Sequence, residues 1–321
     1  MFDILLHTLD AALRVSTPLI FCAMAGIFSE RAGIIDISLE GKLLASAFAA
    51  ACMAHVSGSP IVALLAAVCV SASLSLLHGF ACITHRGNQV VSGLAINILV
   101  SGLTVVLGHA WFRRGGQTPN LASDERFMPV TLPGADAIGG LPAAGPVYQH
   151  VISGHNVLVY LSFAVVAGTA WVLYRTRFGL RLRAVGENPQ AVDTAGISVT
   201  WLRYRAVIIA GVLCGIGGTY LAIAQNAGFT REMSAGQGYI ALAAMVFGNW
   251  RPGRALGACL LFGLLDAVAI RLQGVPLPVV GEVPVQLIQS LPYVLTVVLL
   301  AGFFGRSIAP KAIGQPYSKD R

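Results

Sequence analysis

Charge is what this sequence has least of. Only 11% of its 321 residues are Asp, Glu, Lys or Arg, and none of these falls in the 43 positions between Lys42 and Arg86. Charge-free runs also separate Arg205 from Arg231 and Glu282 from Arg306. Each is longer than the roughly 20 residues a transmembrane helix needs. A water-soluble domain of this length could not cover its surface with so few charges. Cysteine is also sparse. The six cysteines fall inside apolar segments, and no pair has the C-x-x-C spacing of a zinc or redox site, so they read as small hydrophobic fillers. The seven histidines are scattered without ligand spacing, and no metal site is expected. No G-x-x-x-x-G-K-[ST], G-x-S-x-G or H-E-x-x-H occurs, which excludes the simplest cases of an ATPase, a lipase-like enzyme and a zinc protease. The first residues carry Asp3 and Asp10 and no basic cluster, and they run into a full apolar span, unlike a cleaved signal peptide.

What is present is apolar and small: 56% hydrophobic residues, 36 glycines and a mean hydropathy of +0.75. The expected fold is all-α, a polytopic membrane helix bundle forming a single transmembrane domain over 1–321. Spans are predicted at 9–28, 40–56, 60–83, 90–112, 155–174, 204–225, 237–249, 254–272 and 285–304, about nine in all (8–10). The second and seventh are short, as broken or re-entrant helices are. A Gly-flanked short apolar segment, a polar break and a small-residue span occur around Glu40–Phe80 and again around Gly238–Ala267. One span separates the copies, so the second would be inverted, a plan common in transporters.

The net charge of +7 would point to nucleic acid in a soluble protein, but here the basic residues gather in alternate loops. Fifteen Lys and Arg fall in segments 29–42, 84–89, 175–205, 249–254 and 305–321, against four in 113–153 and 226–238. The positive-inside rule then places the N-terminus out and the C-terminus in. The 113–153 loop becomes the long external one; its Gly/Pro content argues for irregular structure. The 175–205 loop, with six arginines, becomes cytoplasmic. Within it Asn188 is a cap, Pro189 suits the first helical position and Gly196 suits the stop, giving a short exposed helix over 187–196. About 10 Å of helix can seat in a groove on another protein.

Polar residues inside spans are the better site candidates, because burying them in lipid is costly. Asn97 sits mid-span, Gln225 and Asn226 close the sixth span, Asp266 lies in the eighth, and Gln286 and Gln289 share a face of the last. Any one of them could simply hydrogen-bond a neighbouring helix. As a set they suit a neutral, hydrogen-bonding solute, with Phe229 and Tyr239 as walls for a flat or apolar part. Gly211-x-x-x-Gly215 and Gly253-x-x-x-Gly257 allow close helix contact, whether for packing or for a moving interface.

Three stretches carry a resemblance: GIFSERAGIIDISLEGKLL (26–44), GLRLRAVGENPQAVDTAGISV (179–199) and GQGYIALAAMVFGNWRPGRALGACLLFG (236–263). In this order they resemble permease subunits of ABC-type importers, in the group serving branched-chain amino acids, ribose and nucleosides. The ERAG…SLEG form looks most like the simple-sugar and nucleoside branch. Asp36 stands where that group has Asn, and Ser38 where Gly is usual. The resemblance implies a plasma-membrane (bacterial inner membrane) importer with a second permease subunit, a paralogue, together with ABC ATPase subunits and an external solute-binding protein. ATP would be used by the partner ATPase, and no cofactor is expected on this chain. The 179–199 motif resembles the loop that touches the ATPase, so Arg183, Glu187, Asn188, Pro189, Asp193 and Gly196 are the expected coupling residues. A nucleoside or simple sugar is the expected cargo. The alternatives are a branched-chain amino acid permease, a passive channel, which needs no such loop, or a membrane-embedded enzyme, which needs an acidic or His cluster at one membrane face.

Overall fold

The computed structural model describes residues 2–132, 144–272 and 308–319, with the isolated positions 290 and 294. The described residues are helical apart from turns and one isolated bridge, between Pro129 and Asn156. Ten helices organise them: α1 Phe2–Arg31, α2 Leu39–Ser57, α3 Pro60–Gly79, α4 Gln89–Phe112, α5 Val157–Arg175, α6 Arg177–Glu187, α7 Pro189–Thr194, α8 Val199–Tyr220, α9 Gln237–Phe247 and α10 Pro252–Leu272. A π-helical turn extends α3 to Thr84, and another extends α8 to Gln225. Seven segments are long and apolar enough to cross a membrane: α1, α2, α3, α4, α5, α8 and α10. The expected 237–249 span is the 11-residue α9, too short to cross alone. The expected last span, 285–304, lies outside the described residues except for positions 290 and 294, and part of the 113–153 loop lies outside them too.

Local chemistry sets the boundaries. Asn88, Asn156, Thr176, Asn188 and Ser198 each accept a backbone N–H of the following first turn, starting α4, α5, α6, α7 and α8. Pro60 opens α3, and Gly58 ends α2 at φ +65°. Pro18 lies inside α1 and has no N–H to give to the carbonyl of Arg14, four residues earlier. The Tyr220 hydroxyl donates to that carbonyl instead, at 3.1 Å.

α1 and α8 form the buried centre and run antiparallel. Arg14 meets Tyr220, Cys22 meets Cys214, and Ala32 meets Arg203. Each is followed by an extended break and then by a helix that starts inside the bundle. After α1, residues 32–38 lead to α2, whose first residue Leu39 reaches Gly26, five residues before the end of α1. After α8, residues 226–236 lead to α9, whose Met245 reaches the same glycine. α2 then runs toward Phe112 and α9 toward the end of α1, so the two broken helices diverge from adjoining N-termini. The third helix of each set packs on the first helix of the other. On α8, Gly211 and Gly215 leave no room for a Cβ against Ala72 and Val68 of α3. On α10, Gly263 does the same against Ala12 and Ser16 of α1. From these adjoining starts α2 and α9 run in opposite directions.

The bundle has two ends. At one, α6 and α7 lie beside Arg31, the 84–88 turn, Trp250 and the 308–319 segment, which bonds back through Ala312 N to Gly186 O and Gly314 N to Gly33 O. At the other, residues 113–132 and 153–156 cover residues 223–229 and the start of α1.

Two basic residues differ from their expected place in loops. Lys42 is fully buried in the first turn of α2, and Arg203 is 1% exposed inside α8. Each spends its charge on a buried partner rather than at a membrane surface. Arg203 donates to Ala32 O and Gln315 O.

Candidate functional site

The adjoining starts of α2 and α9 hold the densest polar chemistry of the described core. The chain enters α2 through Asp36, Ile37 and Ser38. The Lys42 ammonium lies 2.6 Å from Asp36, and the Ser38 hydroxyl donates to the other Asp36 oxygen at 2.5 Å. Asp36, Ser38 and Lys42 are all fully buried. Burial raises the pKa of the Asp36 carboxyl, but the charge of Lys42, followed by His78 and the hydrogen bonds from Lys42 and Ser38, outweighs it and leaves the net value below the ordinary one. The backbone on either side is tied down too. Ile35 N donates to Gln89 at 2.7 Å, and the His78 ring sits 3.0 Å from both Ile35 O and the Ser92 hydroxyl. The departure from Asn and Gly at positions 36 and 38 thus carries a physical compensation, a buried ion pair with its own hydroxyl donor.

Asn97, from the middle of α4, reaches this junction. Its Oδ1 accepts Gly41 N at 2.8 Å, and its Nδ2 donates to Ile37 O at 3.0 Å and to the Tyr239 hydroxyl at 2.8 Å. One side chain therefore ties α4, α2 and α9 together. A Cβ at Gly41 would lie 2.7 Å from Asn97 Oδ1, so only glycine admits this bond. One turn further along α4, the Ser101 hydroxyl donates to Glu232 at 2.5 Å. Glu232 and Tyr239 are exposed, and Ser101 is half-buried. Asn97, Ser101, Glu232 and Tyr239 thus form one polar wall on an open flank of the bundle.

Glu40, absent from the expected set, braces this junction from behind the wall. Its carboxylate accepts Ser234 Oγ at 2.6 Å, Gly236 N at 2.9 Å and Gly238 N at 2.6 Å. The alternating polar run Asp36, Ser38, Glu40, Lys42 ahead of an apolar helix was the available signal. Glu232 makes the wall more acidic than the expected neutral set.

The other candidates lie apart. Gln225 and Asn226 sit at the end of the bundle opposite α7, where Asn226 Nδ2 donates to Leu221 O, and the buried Gln225 Oε1 has no partner among the described residues. Phe229 is 1% exposed and packs edge-on against Phe48. Asp266 is half-buried on α10. Gln286 and Gln289 lie outside the described residues. A cavity of about 440 Å³ between α2, α3 and α4 is lined by apolar groups such as Phe48, Met53, Val70 and Trp111, with Thr104 the one polar side chain, so it does not suit a polar solute.

At the α7 end, Asn188 Oδ1 accepts Ala191 N at 3.1 Å, Pro189 opens the helix, and Gly196 follows it at φ +76°. Val192 anchors α7 among Val185, Val199 and Leu202, while Glu187, Asn188 and Gly196 are exposed. Asp193 pairs with Lys319 at 3.6 Å, and Arg183 lies over the Tyr174 ring at 5.0 Å. Among the described residues no group of three His, Cys, Asp or Glu is placed to hold a metal ion.

Seven helices long and apolar enough to cross a membrane, α2 among them, the 11-residue α9 whose N-terminus abuts that of α2, and a polar wall on one flank define a multi-pass membrane protein of the transporter type. Residues 8–303 match the family described as branched-chain amino acid transport system / permease component, and the chain belongs to that family. It is 38% identical to the guanosine ABC transporter permease protein NupQ of Bacillus subtilis, over 99% of this chain and 98% of that one. It is 39% identical to the nucleoside ABC transporter permease protein NupC of Lactococcus lactis, over 95% of each. The putative glucose ABC transporter permease protein TsgC13 of Haloferax volcanii is 30% identical over 97% of each chain.

Proposed function

We propose that this chain is the permease subunit of an ATP-driven importer that carries nucleosides inward across the plasma membrane, the inner membrane of a bacterium. The observation that carries the proposal is the open polar wall of Asn97, Ser101, Glu232 and Tyr239, in a chain that matches guanosine and nucleoside permeases over nearly its whole length. Amide, hydroxyl and carboxylate groups on a half-open surface suit the hydroxyls and base edges of a neutral nucleoside. A simple sugar is the second reading, favoured by the glucose-permease relative.

Arg86, Arg175, Arg181 and Arg251 gather toward the α7 end, which supports placing that end and the C-terminus in the cytoplasm and the N-terminus outside. The nucleotide-hydrolysing subunits dock there, against α7 with its Asp193 and against the flanking Arg183 and Glu187. An external solute-binding protein docks at the opposite end. A second permease, a paralogue, faces the wall and closes the pathway. Its other contact surface includes the exposed apolar residues Val91, Ile98, Leu103 and Val106 of α4. Docking-driven movement of α7 is transmitted through Val192 to the start of α8 and the end of α6, which rock one half of an inverted pair against the other.

Uptake of labelled guanosine, ribose, glucose and leucine in cells with and without the gene tests this reading. Gene-dependent guanosine uptake is expected. Gene-dependent leucine uptake alone would overturn it.

A further inference from the structure

We infer that Glu40 is a positioning residue for transport, the pin that fixes the 230–236 loop and hence the wall; the inference rests on the function proposed above. The start of a helix leaves backbone N–H groups without partners and carries about half a positive charge. Here two such starts, those of α2 and α9, face each other. A Cβ on Gly238 would lie 2.5 Å from Glu40 N and 2.6 Å from Glu40 Cα, so the two backbones touch. Without an anion between them their positive ends would repel.

Glu40 supplies that anion from the first turn of α2. It satisfies two N–H groups at the start of α9 and the Ser234 hydroxyl, which is itself fully buried. Charge-assisted bonds of this kind are the strong ones. Both oxygens are engaged by the protein, so Glu40 acts through the loop it holds rather than on the solute.

That loop needs holding. Glu232 and Ala235 adopt φ of +53° and +44°, a region that non-glycine residues occupy when their surroundings enforce it. Arg231 and Glu232 project from it, and Tyr239 follows one turn into α9. Releasing the loop would therefore move Glu232 off Ser101 and Tyr239 off Asn97 while leaving the Asp36–Lys42 pair in place.

The test compares Glu40→Gln and Glu40→Asp in the full complex with its ATPase. In the glutamine variant an NH₂ group faces the Gly238 or the Gly236 N–H, donor against donor. In the aspartate variant the charge remains on a shorter arm. Expected for Glu40→Gln is normal abundance in the membrane and normal basal ATP hydrolysis. Hydrogen exchange should quicken by about tenfold or more in peptides covering 230–240 and not in those covering 32–38. Substrate KM should rise by a similar factor, with partial recovery in Glu40→Asp. Unchanged exchange in 230–240 would overturn the inference, as would loss of membrane abundance in step with transport. The exchange readout needs no substrate, so a wild-type complex that carries no nucleoside or sugar would refute the proposed function separately.

Discussion

The two broken helices, the 19-residue α2 and the 11-residue α9, start side by side and carry opposite chemistry. The break before α2 carries its own buried ion pair, with Asp36, Ser38 and Lys42 fully buried and His78, Gln89 and Ser92 packed around it. The break before α9 has no buried charge of its own. It turns through Gly228 and Gly236 at φ +141° and +83°, exposes Arg231 and Glu232, and borrows its carboxylate from α2. The two adjoining starts thus divide the labour. The first is a closed frame around a buried pair, and the second exposes its charges on a loop held by Glu40.

The largest effect expected from this contrast lies in the frame. Lys42→Ala leaves Asp36 charged and buried, which should cost about 3–5 kcal/mol and remove most folded protein from the membrane, read as abundance and thermal stability. Replacing both partners, Asp36→Asn with Lys42→Met, should recover most of that loss. A double variant as unstable as the single would break the contrast.

Glycines sharpen it next. A Cβ at Gly218 would meet Leu43 O at 2.5 Å and the Ser46 hydroxyl closer still, whereas one at Gly257 meets nothing within 4 Å. Gly218→Val should therefore destabilise by about 1–3 kcal/mol, and Gly257→Val hardly at all. If Gly257→Val instead lowers transport in a stably folded chain, that face of α10 is an intersubunit contact.

Asn97→Ala should cost about 1–3 kcal/mol, because Gly41 N and Ile37 O lose their side-chain partner in the interior. It should also reduce uptake further than its effect on abundance. Tyr239→Phe, which removes one of those bonds, should cost about 1 kcal/mol.

At α7 the expected loss is of coupling more than of stability. Gly196→Val strains a left-handed position by about 1–2 kcal/mol, and Asp193→Arg opposes a half-exposed pair with Lys319 worth about 0–1 kcal/mol. Both chains should reach the membrane yet lose substrate-stimulated ATP hydrolysis. Normal stimulation in both would remove α7 from the coupling path.

These contrasts follow how visible each region is in the sequence. α7 was legible because a cap, a proline and a glycine act within a few residues of one another. Span limits were legible for the same reason: 60–83 was expected where the helix with its π turn covers Pro60–Thr84. The junction was not, since Glu40 finds its partners 194 to 198 residues away. Lys42 was read as a loop charge because a lysine at the edge of an apolar run ordinarily marks a membrane surface. Only the fold reveals that its partner, six residues earlier, is buried beside it. Asn97 was legible as a polar residue that lipid would not tolerate, but its link to Tyr239 joins two parts of the chain that no spacing connects.

The wall itself is open to direct measurement. A Ser101→Cys chain, with the six native cysteines replaced, would be assembled with its partners and treated with a small polar thiol reagent. The expected result is that modification stops uptake and that guanosine, but not leucine, slows the modification. Uptake that continues in the modified transporter, with a reaction rate indifferent to guanosine, would contradict the placement of the pathway at the meeting point of the two broken helices.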